Sequence, residues 1–255
     1  MLIKTHGGLS ILNALPTGLG STCAIDLEVA AEVRFGTGGA SSELLDAIRS
    51  HFRRETGKDF MIEIKTGIPS GGGLKSSSAV ATAVIAGMSK LTGLEVDIPV
   101  LAAKLSLQSG LSVTGALDDA AAAYYGGVSV SDNRKMRLIK MDKFPEGIVF
   151  VVIPRSGRSA FDPESLMRHW PIFKKIANSV LGGNYIEAMG LNGLAVSEIF
   201  GYETAIVRKA LELGALASGA SGNGPSIFAA VKEGEEGPVL DLYNSVGEAI
   251  IAKVV

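Results

Sequence analysis

The sequence of 255 residues is poor in several residue types that carry chemistry: it has one cysteine, one tryptophan and three histidines. The lone Cys23 cannot close an internal disulfide, which favours a reducing compartment. One cysteine and three scattered histidines also exclude a structural zinc site built from those ligands. No Gly-x-Ser-x-Gly stretch is present, so the sequence gives no support to a serine hydrolase.

Long apolar runs and an excess of one charge are missing as well. The 24 basic and 26 acidic residues give a net charge of −2 and are scattered along the chain, so neither nucleic acid nor an acidic lipid surface is indicated as a partner. The longest apolar run, Ala79 to Met88, is well short of the ~20 residues that span a bilayer. Residues 1–8 lack the apolar core of a signal peptide. We therefore expect a cytoplasmic protein with no membrane partner.

Glycine, in contrast, is abundant at 32 residues, and three glycines in a row interrupt the stretch from Pro69 to Ala79. Glycine lets a backbone approach a ligand closely, and the serines that follow Leu74 are good caps for a helix start. The free N–H groups and positive dipole end of such a helix favour phosphate. The stretch is not a Walker A motif. The residues alone therefore leave two interpretations, a phosphate site or a turn before a core helix.

The surrounding pattern places this stretch between a strand and a helix. Residues 60–64 alternate with period two, and the segment from Ser76 to about Leu91 is apolar nearly all round, which predicts a buried helix. Near the N-terminus, Gly7-Gly8 is expected to separate two short strands. Farther along, Asp118 and Asp119 head a helix of small residues. They are either plain helix-start residues or a catalytic base and its neighbour, and adjacent helical residues do not share a face, so at most one points at a substrate.

The amino-acid composition of the chain changes around Ile153, from a part rich in glycine and alanine to a part rich in helix-forming residues. We expect a domain boundary near Pro154, with an N-terminal domain of residues 1–153 and a C-terminal domain of residues 154–255. The C-terminal part ends in a strand, a second glycine-rich stretch from Ser218 to Ser226, another strand and a helix.

Three glycine-bearing segments, taken in order, resemble those of the GHMP kinases, a family of small-metabolite kinases. Pro69 to Ala79 is similar to the family's Pro-x-x-x-Gly-Leu-x-Ser-Ser-Ala phosphate loop. Asp119 to Gly127 resembles the family segment that begins with a catalytic aspartate and ends in Tyr-Gly-Gly. Gly219 to Ser226 resembles the C-terminal motif Ser-Gly-x-Gly-Pro-Ser. Each motif is weak alone, but the three together, with fitting spacing, are specific.

Within that family the similarity is greatest to the archaeal-type enzymes that act on shikimate, and it covers nearly the whole chain. The matching segments are Ile11-Leu12-Asn13-Ala14, Val113-Thr114-Gly115-Ala116, Asp132-Asn133-Arg134, Gly183-Asn184-Tyr185 and Leu191-Asn192-Gly193. The resemblance implies an α+β fold of two domains, the first like domain 2 of ribosomal protein S5 and the second ferredoxin-like. It also implies phosphoryl transfer from ATP, with Mg²⁺, to the 3-hydroxyl of shikimate.

The resemblance carries expectations for individual residues. Asp119 is the expected base, with Asp118 as the alternate. The residues expected to bind the nucleotide are Pro69, Ser70, Gly71, Gly72, Gly73, Leu74, Lys75, Ser76, Ser77, Ser78 and Ala79, of which Ser76 and Ser77 are nearest the metal. A carboxylate substrate calls for a guanidinium and small polar groups. The candidates are Arg134, Arg155 and Arg158, with Asn13 and Thr17 as hydroxyl partners and Gly222 and Gly224 of the second glycine motif.

Two positions depart from the family pattern. Lys75 stands where the family usually has glycine or serine, and it would add a positive charge beside the phosphates. Gln108 stands where several relatives carry a carboxylate that contacts magnesium, and a neutral amide binds Mg²⁺ more weakly. These departures leave open a ligand-binding relative that has lost catalysis. A homoserine or mevalonate kinase of the same family is a further alternative, because its phosphate-binding residues would look the same.

Overall fold

The computed structural model describes residues 1–157 and 162–255 as a mixed α+β fold. The strands are β1 (Leu2–Leu12), β2 (Leu19–Phe35), β3 (Phe60–Thr66), β4 (Val128–Asp132), β5 (Arg137–Asp142), β6 (Ile148–Ile153), β7 (Ala217–Ala220), β8 (Ile227–Lys232) and β9 (Ile250–Lys253). The helices are α1 (Ala14–Thr17), α2 (Glu43–Thr56), α3 (Ser76–Thr92), α4 (Ile98–Gln108), α5 (Leu117–Tyr125), α6 (Pro163–Arg168), α7 (Trp170–Leu181), α8 (Tyr185–Phe200), α9 (Thr204–Glu212) and α10 (Gly237–Asn244).

The first sheet is built around the long strand β2. It pairs with β1 along one edge, while on the other edge residues 19–23 pair with β4 and residues 29–35 pair with β3, all antiparallel. β5 adds to β4. In the second half of β2, the side chains of Val29, Ala31 and Val33 are buried, whereas Glu32 and Arg34 are exposed. This alternation is typical of a strand with one solvent-exposed face.

β1 is one strand of 11 residues, so the expected break at Gly7-Gly8 is wrong. The two glycines lie inside β1, where the register against β2 shifts between His6 and Gly7. A Cβ on Gly7 would lie 2.9 Å from Ile68 Cδ1, and the Gly8 N–H donates to the Leu74 carbonyl at 3.2 Å. The glycines are therefore explained by close approach of the chain after β3 and not by a turn.

Helices α3, α4 and α5 pack against one another, and α3 and α5 also lie against β1 and β2. The centre of α3, residues 81–88, is buried throughout, which confirms the expected buried helix. Small residues permit this packing: a Cβ on Gly87 would lie 2.8 Å from Val33 Cγ2. The beginning of α3 is thereby held at a set position relative to the first sheet.

The second sheet has the order β7-β8-β6-β9 and is antiparallel. Its chain order is strand, helices, strand, strand, helix, strand, with the first and third strands in the centre, which is the ferredoxin-like arrangement. A division after residue 153 would separate β6 from its partners β8 and β9. We therefore propose that the boundary between the two domains lies between β5 and β6, at residues 143–147.

The two sheets share one hydrophobic core. A single cluster of buried side chains includes Leu9 and Ile25 from the first sheet and Phe150 and Phe228 from the second. Helix α8 lies against both β1 and β7. A site between the two sheets is therefore held by packing on both sides.

Among the described helices, none has the length and apolar character that a bilayer crossing requires.

Where α8 crosses β7, two glycines meet. A Cβ on Gly219 would lie 2.1 Å from the carbonyl carbon of Gly193. We expect Gly219→Ala to lower the free energy of unfolding by about 1–3 kcal/mol, because backbone would have to move to admit the methyl group. Urea unfolding measures it. Gly237→Ala is the control, since nothing lies within 4 Å of its added Cβ. Equal stability of both variants would contradict a tight crossing.

Candidate active site

Two glycine loops dock through their backbones. The first glycine loop (residues 67–75) follows β3, and the second glycine loop (residues 221–226) joins β7 to β8. The Ser226 N–H donates to the Gly72 carbonyl at 3.0 Å, and the Ser221 hydroxyl donates to the Gly73 carbonyl at 2.9 Å. A Cβ on Gly72 would lie 1.8 Å from a backbone oxygen of Arg155, so only glycine fits there.

The docked first glycine loop delivers the chain into α3 with an open helix start. Lys75 is the residue before the helix, its backbone is left-handed (φ 67°, ψ 22°), and no side chain caps the helix. The expected serine cap is therefore wrong, because the serines lie inside the first turn. The first intrahelical bond runs from the Ala79 N–H to the Lys75 carbonyl at 3.0 Å. The N–H groups of residues 76–78 thus have no intrahelical acceptor and are free to donate to an anion.

Helix α5 begins in the same way nearby. Ala116 precedes it in the left-handed conformation, with φ 53° and no side-chain cap, and Asp118 and Asp119 stand in the first turn. Asp119 Oδ1 lies 3.1 Å from Lys75 Nζ, and both side chains are mostly covered, with 13 % and 11 % of their surface exposed. The Thr22 hydroxyl donates to the same oxygen at 2.6 Å. Lys75, which directly precedes α3, therefore connects the start of this helix to the Asp119 carboxylate through its side chain.

Asp118 is the more buried of the pair, at 4 % exposed. The Asn133 amide donates to its Oδ1 at 2.8 Å, and the Thr22 hydroxyl lies 3.2 Å from its Oδ2. Burial, and next the negative charge of Asp119, raise the pKa of Asp118 to about 6, against the opposing effects of Lys75 and the hydrogen bonds. The two adjacent carboxyl groups thus differ in burial and in partners, although both line the cleft and share the Thr22 hydroxyl.

The two helix starts and the two glycine loops enclose a cleft of about 390 Å³. The residues expected from the sequence that line it are Asn13, Pro69, Gly71, Gly72, Gly73, Leu74, Lys75, Ser76, Ser77, Ser78, Asp118, Asp119, Gly222 and Gly224. Of the lining residues within the described ranges, Lys75 is the one with a positive charge. Segments that are 200 residues apart in sequence therefore meet around one cavity.

Other expected residues lie outside this lining. The guanidinium of Arg155 pairs with Glu203 at 2.6 Å, and that of Arg134 is exposed and donates to the Pro16 carbonyl at 3.4 Å. The Thr17 hydroxyl bonds locally, accepting from the Leu19 N–H at 3.2 Å. Arg158 lies outside the described residues. Arg134, Arg155 and Thr17 have other partners because their contacts come from tertiary packing that sequence patterns do not reveal.

Two residues of the expected nucleotide stretch, Ser70 and Ala79, are not part of the lining. The Ser70 carbonyl accepts from the Gly157 N–H at 3.2 Å, and the Ala79 carbonyl accepts from the Thr5 hydroxyl at 2.8 Å. Gln108, at the end of α4, is exposed and is not part of the lining, whereas Ser106 is. Of the expected stretch, Pro69 and residues 71–78 therefore face the cleft.

Several residues of the site were not expected from the sequence. Thr22 and Asn133 hold the two aspartates, and Gly20 makes room for them, since its Cβ would lie 2.5 Å from the Asp118 carboxyl carbon. Asn223 accepts from the Asn13 amide at 3.1 Å. Two of them carry a sequence signal: Asn223 stands within the second glycine motif between Gly222 and Gly224, and Asn133 stands in the matching segment Asp132-Asn133-Arg134.

Comparison with known proteins agrees with this geometry. Residues 43–127 match the model for the GHMP kinases N terminal domain. A shikimate kinase from Thermoplasma acidophilum is 33 % identical over 99 % of this chain and 94 % of its own length. One from Archaeoglobus fulgidus is 34 % identical over 100 % of this chain and 92 % of its own length. The chain belongs to the GHMP kinase family.

The family fold extends over the whole chain of this GHMP kinase. A crystal structure of homoserine kinase from Cytophaga hutchinsonii superposes with a TM-score of 0.72 at 17 % identity, covering 99 % of this chain and 95 % of that one. At this identity the likeness concerns the fold alone. It confirms the α+β class expected from the sequence.

The raised pKa of Asp118 makes stability depend on pH. The folded chain binds this proton more tightly than the unfolded chain, and this difference adds to the free energy of unfolding. The added stability is fully present below pH ~4 and is lost as pH rises through about 6. Asp118→Asn lacks the titration. We expect the free energy of unfolding of the wild type, relative to this variant, to fall by roughly 3 kcal/mol over that interval.

Urea unfolding of both proteins at a series of pH values between 4 and 7 measures this difference. Asp241→Asn, on the exposed face of α10, serves as a control that leaves the pH dependence of the wild type intact. A constant difference between the wild type and Asp118→Asn across this range would contradict the raised pKa.

Proposed function

We propose that this GHMP kinase transfers the γ-phosphoryl group of ATP to the 3-hydroxyl of shikimate. The observation that carries the proposal is that the open start of α3 and the Asp119 carboxylate share one cleft, with Lys75 Nζ 3.1 Å from Asp119 Oδ1. Phosphoryl transfer needs an anion site, charge stabilisation and a positioned acceptor, and little covalent chemistry from the protein. The choice of shikimate is supported by the two archaeal relatives named shikimate kinase, each matched over nearly its full length.

The β- and γ-phosphates of ATP belong at the start of α3. Residues 71–78 line the cleft there, and the unbonded N–H groups of residues 76–78, together with the positive end of the helix dipole, favour a polyphosphate. The glycines of the first glycine loop allow the phosphates to approach main-chain N–H groups. Binding by main-chain groups needs few cationic side chains, in keeping with the one lysine among the described lining residues.

Mg²⁺ fits the oxygen donors of this cleft. Among the residues that the structure describes, no three His, Cys, Asp or Glu side chains come together as a ready-made metal site. A magnesium ion usually takes few protein ligands and shares phosphate oxygens and water, so the hydroxyls of Ser76 and Ser77 would hold it together with the nucleotide. When bound, it would neutralise negative charge on the phosphates.

Asp119 is the group that accepts the proton of the acceptor hydroxyl. Its side chain is 13 % exposed at the cleft, whereas Asp118 is 4 % exposed and has a hydrogen-bonding partner at each oxygen. Lys75 balances the charge of Asp119 before the acceptor binds and lies close enough to the start of α3 to face the transferred phosphoryl group. A positive charge there stabilises the charge that develops during transfer.

The acceptor binds on the side of Asn13 and the second glycine loop. The side-chain amide of Asn13 donates through Nδ2 to the Gly222 carbonyl and to Asn223 Oδ1, both at 3.1 Å. These two bonds orient Asn13 Oδ1 as the remaining acceptor for a hydroxyl. Arg158 remains our candidate for the carboxylate of shikimate. Arg134 and Arg155 would have to leave the Pro16 carbonyl and Glu203 to reach it.

Replacing the proposed base tests the mechanism. We expect Asp119→Asn to lower kcat by about 10²- to 10⁴-fold, because general-base assistance is lost, while ATP binding measured by calorimetry is retained. Turnover is followed as ADP release in a coupled assay, with Asp241→Asn as the matched control on an exposed helix face. A folded Asp119→Asn protein with full turnover would remove Asp119 from the mechanism.

A panel of acceptors tests the substrate. We expect the highest kcat/KM with shikimate when shikimate, homoserine and mevalonate are assayed side by side, with phosphorus NMR placing the phosphate on the 3-hydroxyl of the ring. Preference for homoserine or mevalonate would instead identify another activity of the family. ATP binding without turnover on any acceptor would indicate a ligand-binding protein.

A further inference from the structure

One hydroxyl lies between the two carboxyl groups of α5. Thr22 Oγ1 is 2.6 Å from Asp119 Oδ1 and 3.2 Å from Asp118 Oδ2. A hydroxyl has one hydrogen to donate, and an ionised carboxylate can only accept. The shorter distance assigns the hydrogen of Thr22 to Asp119. Thr22 Oγ1 and Asp118 Oδ2 can then form a hydrogen bond only if the Asp118 carboxyl group donates the hydrogen.

Asp118 can supply that hydrogen only if it is protonated. Its Oδ1 already accepts from the Asn133 amide at 2.8 Å, so the proton belongs on Oδ2, directed at the Thr22 oxygen. The resulting chain runs from Asp118 through Thr22 to Asp119 and then to Lys75 Nζ at 3.1 Å. Every polar contact in it has one donor and one acceptor, and one negative charge faces one positive charge.

The surroundings of Asp118 favour the protonated form. The charged groups that act on it most are Asp119, on its own helix, and Lys75, at the start of α3. Strand β2 presents the Thr22 hydroxyl, and the β4 side presents the Asn133 amide and the Ser129 hydroxyl, which donates to the Asp118 carbonyl at 2.6 Å. A polyphosphate in the cleft would add negative charge and disfavour ionisation further.

We propose that Asp118 is a positioning residue that holds a proton on Oδ2, so that the Thr22 hydroxyl is committed to Asp119 and orients that carboxylate toward the acceptor. The proposal rests on the role of Asp119 in the proposed kinase reaction. Ionisation of Asp118 would place a second carboxylate in competition for the one hydrogen of Thr22. The orientation of Asp119 would then be lost at high pH.

The pH profile of kcat tests this role. Asparagine at position 118 keeps an acceptor for Asn133 and a permanent N–H donor for Thr22, so we expect Asp118→Asn to keep at least about one third of wild-type turnover at pH 5.5, where wild-type Asp118 is protonated, and to lose the alkaline decline of the wild-type profile. Identical profiles would overturn the proposal. So would a loss in Asp118→Asn as large as that in Asp119→Asn, because Asp118 would then act as a carboxylate.

The shared hydroxyl is tested separately. We expect Thr22→Val to lower kcat about tenfold with KM for ATP nearly unchanged, Thr22→Ser to restore turnover, and Asp118→Asn to leave the pH profile unaltered in the Thr22→Val background. An unchanged kcat in Thr22→Val would overturn the chain of contacts.

A readout without turnover separates this proposal from the kinase reaction. In protein carrying ¹³C at the aspartate carboxyl carbons, the signal that disappears in Asp118→Asn should titrate well above the ordinary aspartate value of ~3.9. Such a titration without phosphorylation of any acceptor would overturn the proposed function and leave the protonated Asp118 in place. Phosphorylation of shikimate together with an ordinary Asp118 titration would overturn this inference alone.

Discussion

The arrangement of the site depends on one backbone contact, the docking of the first glycine loop on the second. The Ser226 N–H and the Ser221 hydroxyl donate to the carbonyls of Gly72 and Gly73, and a Cβ on Gly73 would lie 2.1 Å from the Ser221 backbone oxygen. This contact joins the chain after β3 in the first sheet to the chain between β7 and β8 in the second. Because α3 starts directly after it, the position of the proposed anion site is set by both sheets at once.

The same contact accounts for the unusual lysine. The chain leaves the first glycine loop through a left-handed residue at position 75, a conformation that costs a non-glycine residue about 1–2 kcal/mol. At this position the side chain reaches Asp119, in surroundings that leave only 11 % of it exposed, where an ion pair is screened less than at the surface. Lysine therefore supplies a charge that glycine or serine could not. Its partner is the aspartate, and not the phosphate site alone as the sequence suggested.

The elements and the general location of the site could be predicted from the sequence, because they depend on local patterns. The all-round apolar helix α3, the glycine loops and the carboxylates of α5 each have a signature within about ten residues. The contacts of Arg155 and Thr22 could not be predicted in this way. Arg155 meets Glu203, 48 residues away, and Thr22 reaches the aspartates because strand register pairs it with Ser129 beside α5. The prediction of a strand break at Gly7-Gly8 is wrong for the same reason, since the Gly8 N–H meets the Leu74 carbonyl, which is distant in sequence.

The charge balance of the cleft connects these features. Its described lining has two carboxyl groups and one lysine, so a polyanion entering it meets no net positive charge from side chains. Attraction must therefore come from main-chain N–H groups, whose direction is set by the backbone and which carry no counterion to displace. A site of this kind loses its function when the backbone shifts, even if every side chain remains. That dependence explains why glycines without Cβ atoms, rather than additional cations, occupy the contact on which the cleft is built.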